Sequence, residues 1–203
     1  MKLSKFRLGA YIVATAIAIS ALPAAAHADM DIYQRMESAR IARENVNTTP
    51  YIPWKSDCAY FVSLALWDGG MKSDDDWTPS TSDGSRAASR LMIPGPSKAA
   101  MSADHFVKYM ARTGRAVVAP IKWSDNTAGG AKTADVIAYD WENGADGTID
   151  HIAIVTGFAS GGYPLVSQHT PAQLNRGWSW SLDAGQWIEY AKPGAKAYLV
   201  HFN

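Results

Sequence analysis

The chain has 203 residues, with 19 basic and 19 acidic side chains, and 47% of its residues are apolar. That length suits one domain with a sizeable core plus a short leader. The even charge balance gives no basic footprint, so neither nucleic acid nor an anionic membrane surface is an expected partner.

Lys2, Lys5 and Arg7 open the chain, an apolar stretch runs from Leu8 to Leu22, and Ala24 to Ala28 reads Ala-Ala-Ala-His-Ala. A basic start, an apolar middle and a small-x-small end form the layout of a secretory signal peptide. The apolar stretch is shorter than the roughly 20 residues of a membrane-spanning helix. Pro23 and the small residues favour cleavage over retention as an anchor. Cleavage is expected after Ala28. It removes three basic residues and no acidic ones, leaving a net charge of −3. The expected organisation is a signal peptide over 1–28 and one domain over 29–203. The location is then secreted: extracellular, periplasmic or at the cell wall.

Asp31 to Val46 reads as a helix with Ile32, Met36 and Ala39 on one face. A loop with Pro50 and Pro53 follows. A second helix is expected from about Cys58 to Asp68. Ser56 or Asp57 caps it, Gly69-Gly70 ends it, and Phe61, Val62, Ala65 and Leu66 form its buried side. Met71 to Pro96 is polar and reads as a surface excursion. Ser102 to Thr113 reads as a third helix capped by Ser102. Beyond Gly114 come short segments rich in β-branched and aromatic residues: 116–119, 135–139, 151–156, 165–169, 187–190 and 197–202. Helices first and strands later imply an α+β domain with an antiparallel sheet.

The chain has a single cysteine, Cys58. A lone cysteine cannot form an intramolecular bridge, and its bland role is that of a small buried apolar residue. Here it opens an amphipathic helix. The unpaired N–H groups and positive dipole end there favour a thiolate and can face an oxyanion. A cysteine nucleophile also needs a base, and the base an orienting group. His151 opens the segment His-Ile-Ala-Ile-Val-Thr, and His169 ends Leu-Val-Ser-Gln-His. Adjacent antiparallel strands joined across Gly157 to Gly162 are expected to bring these two histidines together, one as base and one as orienter. His105 and His201 read as structural.

Four segments resemble a known group. Asp57 to Gly70 (DCAYFVSLALWDGG), Asp135 to Trp141 (DVIAYDW), Asp150 to Gly157 (DHIAIVTG) and Pro164 to Thr170 (PLVSQHT) are similar to motifs of the bacterial putative amidase domain family. The resemblance runs from about Asp31 to Thr170. It extends to the CHAP and NlpC-type cell-wall hydrolases, and it implies a papain-like core with a triad of cysteine, histidine and a polar third residue. These carry over to Cys58, His151 and His169 or another polar group. Tyr60 and Leu64 depart from the Asn and Gln expected on the nucleophile helix, which bears on substrate preference.

Other residues carry weaker signals. Strand alternation turns Asp150 away from the face of His151. Asp57 is expected to cap the helix with its carboxylate. The acidic loop Asp140, Glu142, Asn143, Asp146 and Asp150 departs from a calcium-binding pattern at Gly144 and Ala145. A metal on His151 and His169 lacks further ligands. Trp178 and Trp180 read as core rather than as a sugar-stacking platform.

The expected function is thus a secreted, monomeric cysteine amidohydrolase or peptidase acting on peptidoglycan or another peptide substrate. No metal or cofactor is expected, and no membrane partner after signal cleavage. The alternatives are an acyltransferase or transglutaminase-like enzyme using the same triad, and a non-catalytic cell-wall-binding module.

Overall fold

The computed structural model describes residues 30–48, 56–141 and 146–203. The proposed signal peptide, most of the Pro50–Pro53 loop and the Glu142–Ala145 segment lie outside these residues. Helix α1 (Ile32–Asn45) begins at Asp31, whose carboxylate accepts from the Gln34 N–H at 2.9 Å while the Gln34 side chain accepts from the Asp31 N–H at 3.1 Å. This reciprocal pair satisfies two of the donors a helix start leaves open. The helix buries Arg35, Ser38, Ala39, Ile41 and Ala42. Ile32 and Met36, expected inside, are 61% and 60% exposed.

The rotation follows from Arg35. Its Nη1 donates to Asp135 Oδ1 at 2.8 Å and to the Thr133 carbonyl at 2.9 Å, and Nε reaches the Met30 carbonyl at 3.2 Å. Asp135 also accepts from the Lys132 N–H at 2.8 Å, and its Oδ2 lies 2.7 Å from Nδ1 of His201. A buried ion pair is tolerated only when its remaining hydrogen-bonding capacity is met. Meeting it here turns the Arg35 stripe inward.

Helix α2 (Cys58–Asp68) is buried along most of its length, with Phe61, Val62, Ala65 and Leu66 inside as expected. It ends at Gly69, where a Cβ would stand 1.9 Å from Ser38 Oγ of α1. The two helices therefore touch where only a hydrogen fits. The polar excursion after Gly70 is made mostly of turns, but it is anchored by the fully buried Trp77, whose Nε1 donates to Ser63 Oγ of α2 at 2.9 Å. A short helix α3 (Lys98–Met101) precedes α4 (Ala103–Arg112), whose cap is Ser102.

Six strands form one antiparallel sheet: β1 (Ala116–Ile121), β2 (Val136–Asp140), β3 (His151–Phe158), β4 (Pro164–Gln168), β5 (Gln173–Gly177) and β8 (Lys196–Phe202). Their order is β1-β8-β2-β3-β4-β5, so the architecture is α+β. A second sheet pairs β6 (Trp180–Ser181) with β7 (Gln186–Trp187). The segment 187–190, read as a strand, is instead the end of β7 running into the short helix α5 (Ile188–Ala191). The chain turns there to bury Ile188 and leaves Trp187 exposed.

The helices pack on one face of the sheet, against Val136, Ile152, Ile154 and Val200. The other face carries Tyr139, Val155, Val166 and Leu199, covered by Trp178 and Ile188. Among the described residues no helix is long and apolar enough to cross a membrane.

Removing one partner of a buried pair leaves the other charge uncompensated. Arg35→Met is expected to lower unfolding stability by about 3 kcal/mol in urea titration. Arg40→Met, on the exposed face of the same helix, should leave the midpoint unmoved.

Candidate functional site

Cys58 is the first residue of α2 and is 3% exposed. The backbone N–H groups of Ile152, on β3, and of Ala59 approach its sulfur, and Ser56 Oγ lies 3.7 Å away. Burial pushes the Cys58 thiol up, and the Asp57 charge adds to the rise; the three donors act the other way without overcoming it. Desolvation thus works against the thiolate expected at the helix start and outweighs the nearby donors.

His151 precedes Ile152 in β3, but its side chain lies on the Tyr139 face of the sheet, whereas Cys58 packs on the helix face with Ile152 and does not line the cleft beside His151. The two are not hydrogen-bonded to each other. His151 lies directly opposite Tyr139, and its ring centroid is 6.2 Å from that of Trp141. Its Nε2 is enclosed and without a hydrogen-bond partner. Burial, followed by the nearby Arg176 charge, lowers its pKa to about 4, while the Gln168 side chain favours the charged form. The ring is a neutral imidazole at pH 7.

His169 is placed differently from the sequence reading. Ile154 pairs with Ser167 and Val155 with Val166. Directly opposed residues share a face of a sheet. This register puts Gln168, not His169, on the face of His151. The expectation that His169 orients His151 is not met in this geometry. His169 Nδ1 lies 2.9 Å from Asp57 Oδ2, its Nε2 lies 3.0 Å from the Asn45 carbonyl, and its ring stacks on Phe61 at 4.3 Å. Asp57 makes no side-chain cap to α2. Its carboxylate also accepts from Thr170 Oγ1 at 2.9 Å, and its N–H donates back to that oxygen at 3.2 Å. Thr170 has φ +57°, an uncommon conformation for a β-branched residue, and this pair of bonds holds it there.

A cleft of about 240 Å³ opens beside His151. Gln168 and Arg176 line it from the sheet, and Trp141, Pro171, Trp180 and Lys192 are among its walls. Gln168 Nε2 donates to the Pro171 carbonyl at 3.2 Å, and its Oε1 accepts from Arg176 Nε at 2.8 Å. Sequence reading missed Gln168, Trp141 and Arg176. The signal available for Gln168 was strand parity once a register was assumed; for Arg176, on an unrecognised strand, there was none.

Trp178 is fully buried as expected, whereas Trp180 faces the cleft. His201 is taken up by Asp135, and His105 Nδ1 lies 3.1 Å from its own cap, Ser102. Asp150 Oδ2 accepts from the Trp141 N–H at 2.7 Å, a turn role. Glu142 and Asn143 of the acidic loop lie outside the described residues. Among the described residues no group of three His, Cys, Asp or Glu side chains is placed to hold a metal ion.

A family model described as putative amidase domain matches residues 24–193, and the chain belongs to that family. No curated protein and no solved structure matches it significantly. Family membership suggests amidohydrolase activity on carbon–nitrogen bonds.

The two histidines act on stability with opposite sign. Burial alone would lower the His169 pKa, but Asp57 and the Asn45 and Val46 backbone together outweigh it and raise the pKa above 6.5. Its contribution is complete below 6.5 and is lost as pH rises through the folded value. His151 is held down to about 4, so its contribution is present above 6.5 and is lost as pH falls toward 4. Thermal unfolding is thus expected to show greatest stability near pH 6.5. His169→Asn should flatten the alkaline side only, and His151→Asn the acid side only.

Proposed function

We propose that this protein is a secreted cysteine hydrolase that cleaves amide bonds through a thioester, with Cys58 as nucleophile and His151 as base. One observation carries the reading. The chain's single cysteine opens a buried helix, and its sulfur meets the backbone N–H of the residue that follows a buried histidine whose Nε2 has no partner. A papain-like arrangement, and a relation to the CHAP and NlpC-type hydrolases, accord with a nucleophile helix laid on an antiparallel sheet. Peptide links of peptidoglycan are the proposed substrate. That choice rests on the motif resemblance and on the signal-like leader.

In the proposed reaction the Cys58 sulfur attacks the amide carbonyl carbon as His151 Nε2 takes its proton. The carbon–nitrogen bond then breaks, the proton passes to the departing amine, and water hydrolyses the thioester. The pair starts as thiol and neutral imidazole rather than as an ion pair, because both side chains are buried. Catalytic hydrogen bonds are often long in a free enzyme and tighten when substrate binds. Gln168 is the polar third group, on the face of His151. His169 supports the nucleophile from the other face by holding Asp57, the residue before Cys58.

Mass spectrometry of products from purified peptidoglycan tests the assignment. Cys58→Ala should abolish release of new amine ends, and His151→Ala should slow it by at least about 10²-fold. A His105→Ala loss as large as that of His151→Ala would remove His151 as the base. The acid limb of kcat/KM, which reports the free enzyme, should have its midpoint near 4. A limb at the ordinary histidine value of 6.5 would mean that the catalytic imidazole is not the buried one.

A further inference from the structure

Arg176, on β5, is 6% exposed. Every oxygen that its guanidinium bonds is neutral. Nε donates to Gln168 Oε1 at 2.8 Å, and Nη1 is shared among the carbonyls of Gly177, Trp178 and Trp180 at 3.0, 3.1 and 3.2 Å. The guanidinium carbon stands 5.1 Å from the centroid of the Tyr139 ring. Among the described residues Arg176 forms no ion pair, unlike Arg35, the other buried arginine, which meets Asp135. A buried charge is costly unless paired, and neutral acceptors repay only part of that cost. The cation is fixed by this fan of bonds and lines the cleft beside His151. Lys192, 5.1 Å from the Trp141 ring centroid, adds a second positive charge to the cleft wall. The single acid of the lining, Asp183, is exposed and makes no ion pair with either among the described residues.

Building on the cysteine-hydrolase reading, we propose that Arg176 determines specificity by receiving a carboxylate of the substrate, so that the preferred amides carry a free carboxylate close to the bond that is cut. A planar guanidinium held at the edge of a cleft matches a carboxylate in shape as well as in charge. Trp141 and Trp180 supply flat apolar walls for the remainder of the ligand. Binding places the anion where the buried cation lacks one. It also offsets the positive field that disfavours protonation of His151, so recognition and base strength rise together.

The test separates recognition from turnover by using the full chain carrying Cys58→Ala, which leaves Arg176 and the cleft intact. Calorimetry would compare two pairs of probes. One is N-acetyl-Ala-Ala with a free C-terminal carboxylate against its C-terminal amide; the other is N-acetyl-Glu-methylamide against N-acetyl-Gln-methylamide. At least tenfold tighter binding of the acid in one pair is expected, and which pair shows it tells a terminal carboxylate from a side-chain one. Adding Arg176→Gln should bring the ratio to near one, and Arg176→Lys should leave it between the two. Circular dichroism would verify that each variant is folded. Equal affinity for acid and amide in both pairs with Arg176 intact would overturn the proposal without recourse to any variant, and so would a preference that survives Arg176→Gln. A preference for the acid in a protein that hydrolyses nothing when Cys58 is restored would uphold Arg176 as a carboxylate site while removing the hydrolase reading.

Discussion

The pairing of β3 with β4 is the constraint on which the site depends. Ile154 stands against Ser167 and Val155 against Val166. Because side chains alternate, a slip of one residue would exchange every inward group for its neighbour. In the observed register His151 and Gln168 share the cleft face, and His169 lies on the helix face, where Asp57 waits for it. The register is pinned from both sides. Ile152 and Ile154 are buried under the helices, and Ala153, Val155 and Val166 under Trp178 and its neighbours. With both faces of β3 committed to a core, no polar group on it can change sides.

This division of labour across the sheet places two different kinds of polar chemistry near Cys58, one on each face. On the helix face, Asp57, His169 and Thr170 form a closed cluster in which the negative charge next to Cys58 is matched by a histidine inclined to carry a proton. That match matters because an unpaired carboxylate adjoining a buried sulfur would oppose thiolate formation still further. On the cleft face stand a neutral imidazole with an enclosed Nε2, an amide bonded to Pro171 and Arg176, and an arginine whose bonded oxygens are all neutral.

Much of this was legible in the residues. Helix α2 came out at its true bounds because its apolar spacing, cap region and glycine stop agree. The α+β class followed from helices preceding strands. The buried side of α1 was misread because its inward stripe includes Arg35, which no hydropathy pattern ranks as core; only the position of Asp135, a hundred residues on, makes that burial favourable. Strand β5, Gln-Leu-Asn-Arg-Gly, was invisible for a related reason. It is a polar edge strand whose one buried side chain is an arginine. His169 was recognised as important, but its partner was misassigned, since choosing between His151 and Asp57 requires the register.

The contact between Gly69 and Ser38 has a geometric corollary. Helix α2 is a rod of 11 residues, about 16 Å long, with Cys58 at one end and the glycine just beyond the other. A rod seated on a sheet pivots when one end is lifted. The hydrogen of Gly69 thus acts as a shim for the tilt of the whole helix, and the height of the sulfur above β3 is gauged at the opposite end of that lever. Selection on the reactivity of Cys58 would then reach a position that touches neither substrate nor any residue of the cleft.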